Sequence, residues 1–153
     1  MTENNSIQVE RVDHVGVRVA DAKRAIKFYA NFGFKVLHES ELDTVVIIKN
    51  NEDIELNLIV NATTSNRDQN ILMDEEVKYA GFTHLALRVS SIKNTIATLK
   101  QKNIKITQGP VVFGQDGHVS VFVRDPDRNT LELRGRTENF NEIEDLEIYN
   151  PKA

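Results

Sequence analysis

The chain has no cysteine, which excludes disulfides and thiolate chemistry and leaves nitrogen and oxygen as the only good donors for a metal. That absence leaves the compartment open, because a cysteine-free protein tolerates either redox environment. No apolar run reaches the length of a membrane span, and Met1 to Ile7 is too polar for a signal peptide, so no membrane partner is expected and cytoplasm is the default. There is no long basic run either, and a formal charge of −4 argues against nucleic acid as a partner. What remains is an ordinary globular composition. At 153 residues, 40% hydrophobic and 27% charged, the chain suits one domain or two small modules sharing a core without staples.

What is present is a repeat. Val12 to Val19, with His14 and Arg18, lies without a gap on Phe82 to Val89, with His84 and Arg88, and the match continues through Lys23 and Lys93, Ile26 and Ile96, Lys35 and Lys105. Late in each half, at a slightly larger offset, Ile54-Glu55-Leu56 answers Leu131-Glu132-Leu133. Each unit therefore opens with a histidine and closes with a glutamate. Two neutral imidazoles and two carboxylates suit a divalent metal, and a duplicated fold can bring duplicated positions together, so the pattern reads as one shared metal site.

Periodicity places these residues on strands. Gln8 to Val19 alternates Val12, His14, Gly16 and Arg18 on one face with Asp13, Val15, Val17 and Val19 on the other. Asp21 can cap a helix to about Asn31, where Gly33 supplies a stop, and strands are expected at Phe34 to Glu39, Thr44 to Lys49 and Ile54 to Val60. The second unit repeats this: a strand at Phe82 to Val89, a helix capped by Ser90 or Ser91 with Ile92, Ile96 and Leu99 inward, and strands at Ile104 to Thr107, Val119 to Arg124 and Thr130 to Gly135. Gly109-Pro110 is expected to end the first of those three, and Asp125 to Asn129 to turn the chain between the last two. The resulting organisation is a flexible start over 1–8, a first β-α-β-β-β module over 9–60, a polar connection over 61–81 pinned by Ile71-Leu72-Met73, a second module over 82–135 and an acidic tail over 136–153. In the tail Phe140, Ile143 and Leu146 are spaced for one helical stripe, to dock on the body or on a second subunit.

Glu55 and Glu132 each sit between two apolar residues, so in a strand each points opposite to its neighbours, and His14 and His84 stand across the pleat from Val15 and Leu85. Singly, any such residue is more often solvated surface than ligand. The recurrence of both types at matching places favours the metal site. His38 has no such symmetry and is expected to be exposed. His118, after a glycine-containing loop, can reach a substrate, while Arg18 and Arg88 can clamp a substrate carboxylate or pair with the glutamates.

The paired modules, the His-x-x-x-Arg-Val openings, Ile54-Glu55-Leu56 and above all the run from Val121 through Asp125-Pro126-Asp127 to Leu133 resemble the vicinal oxygen chelate superfamily, and within it glyoxalase I-like proteins. The resemblance covers about Val9 to Gly135. It implies an α+β fold in which two tandem β-α-β-β-β modules form a curved, half-barrel mixed sheet. It implies His14, Glu55, His84 and Glu132 as ligands of an octahedral divalent ion, nickel, zinc, cobalt or manganese before iron. It also implies isomerisation of the thiohemiacetal of a 2-oxoaldehyde to a 2-hydroxy thioester through a metal-stabilised enediolate, with Glu132 as the base and Glu55 as a second acid/base candidate.

Other members imply alternatives: epimerisation of methylmalonyl-CoA, ring-cleaving dioxygenation at a two-His, one-Glu iron site, or antibiotic sequestration without the ligand set. Arg18 matches the arginine that glyoxalase I-like proteins use for the glutathione carboxylate. The asparagine expected four residues after the first glutamate is instead Ile59, with Asn57 on the same face and Asn61 following. Substrate contacts are expected of Arg18, Asn57 and His118, and the partner is a small molecule such as a thiol adduct. A homodimer is expected from open sheet edges and the tail stripe, with the site built within one chain or across the dimer.

Overall fold

The computed structural model describes residues 5–39, 44–63, 68–114 and 116–150, and the chain divides into two compact units, Met1–Thr64 and Ser65–Ala153. Residues 1–4 of the expected flexible start, 64–67 of the connection, 115 of the glycine loop and 151–153 of the tail lie outside the described residues.

In the first unit, strand β1 (Val15–Val19) is shorter than its alternation suggests and leaves His14 immediately before it. The lead-in fails as a strand because Val9 and Val12 are exposed and find nothing to pack on. Asp21 caps α1 (Ala22–Ala30), its carboxylate accepting the Arg24 amide at 2.9 Å, a contact of the kind worth about 1 kcal/mol. Gly33, at φ +84°, then releases the chain from the helix. Strands β2 (Lys35–Glu39), β3 (Val45–Lys49) and β4 (Glu55–Val60) follow. The Asn50 side-chain carbonyl forms the β3–β4 turn by accepting the amides of Glu52 and Ile54 at 3.1 and 2.9 Å. Strand order is β1-β4-β3-β2, with β1 parallel to β4 and the other pairs antiparallel. Leu56, Leu58, Val17 and Val19 are buried on one face together with Ala25 and Tyr29 of α1. His38 lies exposed on the edge strand β2, as expected.

The second unit repeats the plan with β5 (His84–Arg88), α2 (Ile92–Gln101), β6 (Ile106–Val112), β7 (His118–Arg124) and β8 (Thr130–Arg136). Ser91 caps α2 by accepting the Asn94 amide at 3.1 Å; Ile92 and Leu99 are buried, while Ile96 is only half-buried. Strand β6 runs straight through Gly109-Pro110, contrary to expectation. Its register against β7 slips on either side of Gln108, and Gly109, at φ +88°, absorbs the irregularity where a side chain would collide with the Ser120 carbonyl. Between β7 and β8 the buried Asp125 carboxylate accepts the amides of Asp127 and Asn129 at 2.9 and 2.8 Å, which fixes the turn that delivers Glu132.

The tail does not form the expected helix. A short 3-10 turn (Phe140–Glu142) precedes the buried Ile143 and the left-handed Asp145, and β9 (Glu147–Ile148) then adds parallel to β6. The open edge of β6 supplies the backbone partners that an isolated short helix lacks. The sheet order is β5-β8-β7-β6-β9, so each module has its own open, mixed sheet in an α+β fold of two tandem modules. Of Ile71-Leu72-Met73, Ile71 is exposed while Leu72 and Met73 are half-buried. The segment is also held by Asp74, whose two carboxylate oxygens accept from Arg124 Nη1 and Nη2 at 2.9 and 2.8 Å, an ion pair that holds the Asp74 carboxyl below its usual range.

Candidate metal centre

In the first unit Val15 stands opposite Leu56, so His14 comes level with Glu55 one step before the ladder begins. In the second, His84 stands opposite Thr130, and Glu132 is opposite Ala86. The histidines are therefore register equivalents and the glutamates are not. The counterpart of Glu132 is Asn57, opposite Gly16. The larger offset between the two glutamate motifs is a displacement of the carboxylate by one pleat repeat along the strand.

Each histidine is engaged by the residue before it. His14 Nδ1 lies 2.6 Å from Asp13 Oδ1, and this hydrogen bond is the main cause of an Asp13 carboxyl held below its usual range. His84 Nδ1 lies 2.8 Å from Thr83 Oγ1. Such a partner fixes the ring and its tautomer. Neither Asp13 nor Thr83 stood out in the sequence. Strand alternation would turn Asp13 away from His14, and it faces the ring because the strand has not yet begun.

The carboxylates differ in their support. Glu55 Oε2 is 3.9 Å from His14 Nδ1, and no described residue donates a hydrogen bond to it. Asp13, His14 and Glu55 offer ligand atoms within 4.8 Å of one another. In the second unit His84 Nε2 is 3.1 Å from Glu132 Oε1, while the fully buried Ser120 hydroxyl donates to Glu132 Oε2 at 2.7 Å. Phe122, opposite Glu132 on β7, sets its ring edge-on to His84 with centroids 5.5 Å apart. Ser120 was not anticipated, because only the register of β7 against β8 reveals it. Imidazole nitrogen beside carboxylate oxygen recurs in both units, and this donor set fits a borderline divalent ion.

The remaining candidates divide. Arg18 Nε donates to Asn61 Oδ1 at 2.9 Å, on the exposed face shared with His14. Asn57 Oδ1 is shielded from solvent and has no hydrogen-bond partner among the described residues. His118 is not in the loop but opens β7, mostly buried, with Nδ1 3.0 Å from Asp116 Oδ2. Arg134 Nη2 donates to the same oxygen at 2.7 Å. The His118 amide, donating to Asp116 Oδ1, is the main cause of an Asp116 carboxyl held below its usual range. Arg88 is exposed on β5.

Residues 11–133 match the model of the Glyoxalase/Bleomycin resistance protein/Dioxygenase superfamily. A putative lactoylglutathione lyase of Brassica oleracea var. gemmifera is 30% identical over 133 residues, 81% of this chain but 44% of that protein, so the chain spans less than half the length of this curated relative. Virulence protein STM3117 of Salmonella typhimurium is 31% identical over 140 residues, 85% of this chain and 88% of that one. Among solved structures, a glyoxalase/dioxygenase from Nostoc punctiforme superposes with a TM-score of 0.67 at 21% identity, over 89% of this chain and 100% of the other.

Proposed function

Because the chain belongs to the Glyoxalase/Bleomycin resistance protein/Dioxygenase superfamily, we propose that it is a divalent-metal enzyme of glyoxalase I type, converting the thiohemiacetal of a 2-oxoaldehyde to a 2-hydroxy thioester. His14, Glu55, His84 and Glu132 would hold the ion. When bound, the ion would supply positive charge that stabilises the negative charge developing on substrate oxygen as the carbon loses its proton. Glu132 would take the proton from the carbon bearing the sulfur and return it to the neighbouring carbonyl carbon, while the hydroxyl proton passes from the oxygen of the first carbon to that of the second, so the reaction balances with no co-reactant. Arg18, Asn57 and His118 contact the substrate. The observation that supports this best is the His84–Glu132 pair, with a buried hydroxyl on the second carboxylate oxygen, because it aims one free oxygen at one imidazole nitrogen.

The test is metal analysis of the purified protein followed by a thiohemiacetal isomerase assay with several thiols. One nickel, zinc, cobalt or manganese ion per pair of modules, with turnover, is the expected result. Iron with oxygen consumption would make the protein a dioxygenase, and neither metal nor turnover would make it a binding protein. The same proposal includes a cytoplasmic homodimer. The exposed Ile7, Val9, Val12 and Phe82 side chains support association, although Ile143 and β9 of the tail are already satisfied within their own unit. Sedimentation as a monomer at high micromolar concentration would defeat the dimer.

A further inference from the structure

Asn57 occupies in the first module the register position that Glu132 occupies in the second, and the residue across the parallel ladder is small in both cases, Gly16 opposite Asn57 and Ala86 opposite Glu132. In the first module the space over Gly16 is taken by Ile59, whose Cδ1 lies 3.2 Å from where a Cβ would stand. From its position Glu132 reaches to 3.1 Å from the histidine of its module. Asparagine lacks one methylene, about 1.5 Å of reach, and carries no charge, so at this register position it offers a neutral carbonyl oxygen in place of a carboxylate. That oxygen is shielded from solvent and has no hydrogen-bond partner among the described residues. A buried acceptor left without a donor typically costs about 1–3 kcal/mol, and native structures keep few of them without a reason.

We propose that Asn57 Oδ1 accepts a hydrogen bond from an O–H or N–H carried by the ligand itself. The site would thereby select chelators that keep a donor next to their paired oxygens, such as an α-hydroxy carbonyl, over paired-oxygen chelators with no donor. This rests on the metal reading above. It assigns Asn57 to ligand selection and leaves Glu55 and Glu132 with the ion.

The experiment uses the full chain loaded with Ni²⁺ and two probes, acetohydroxamate, which has a donor beside its oxygen pair, and oxalate, which has none. Asn57→Leu, which keeps the bulk and removes the oxygen, and Asn57→Ala should each weaken acetohydroxamate about five- to tenfold while leaving oxalate and Ni²⁺ binding within about twofold. Asn57→Asp, which keeps an acceptor and the shape, should preserve acetohydroxamate binding. Equal losses for both probes, or no loss for either, would overturn the assignment of Asn57 while the metal reading stands. Failure of the unaltered protein to take up Ni²⁺ would overturn both. Thermal melting of each variant separates a folding defect from a binding one, and the Asn57→Asp result alone decides against the proposal if that well-folded variant loses acetohydroxamate.

Discussion

The two modules share a plan and a histidine position, yet the second holds its histidine–glutamate pair rigidly while the first leaves it loose. Glu132 is buried, with one oxygen tied to Ser120 and the other facing His84, whereas Glu55 is more open and receives no hydrogen bond from the described residues. The second module adds a strand from the tail and a bidentate Asp74–Arg124 pair. The two modules place the imidazole alike and the carboxylate one pleat repeat apart.

The sharpest way to break this comparison is to neutralise the two glutamates separately. Glu132→Gln should lower turnover by a factor on the order of 10² to 10⁴ with metal binding less affected, and by more than Glu55→Gln does. Turnover and bound metal are measured in the same preparations. The opposite ranking would make Glu55 the base and favour epimerase-like use of the site. Next come the residues behind the ligands. Ser120→Ala should weaken Co²⁺ binding about 10- to 100-fold, and Asp13→Ala by less, because Asp13 is exposed and its contact competes with water. Equal losses by calorimetric titration would remove the distinction between a rigid and a loose half.

A smaller effect should appear in stability. Asp74→Asn should destabilise the fold by about 1–3 kcal/mol in denaturant melts, through hydrogen bonds to a charged partner. The Arg124 guanidinium holds the carboxyl below its ordinary range in the folded protein, so its contribution is fully present above the ordinary carboxylate value and is lost as pH falls through the lower folded one. The acid limb of unfolding should therefore flatten in Asp74→Asn below about pH 4, the ordinary carboxylate value. Least of all, Arg18→Ala and His118→Ala should raise the apparent KM several-fold, on the order of one lost hydrogen bond, with kcat little changed. A large fall in kcat for either would place it at the reacting carbon.

Much of this was legible in the sequence where the signal is local. Asp21 and Ser91 cap the expected helices, Asp125 makes its turn, and the histidine repeat marks equivalent positions. Features that depend on distant pairing were not legible. Ser120 matters only because of the β7–β8 register, Asp74 only because Arg124 is fifty residues away, and the tail is a strand only because β6 has an edge to offer. The Gly109-Pro110 pair looked like punctuation because the rule for such dipeptides is local, and the neighbouring strand overrode it.

Gly109 carries a consequence for heredity. A Cβ there would lie 2.5 Å from the carbonyl oxygen of Ser120, the residue whose hydroxyl holds Glu132. In a saturation scan scored by abundance this position would register as ordinary structural intolerance. Scored by metal uptake it should rank with the ligands, because relief of the collision displaces the backbone from which Glu132 is held. A lineage drifting at Gly109 would thus put its chemistry at risk through a residue that touches neither ion nor substrate.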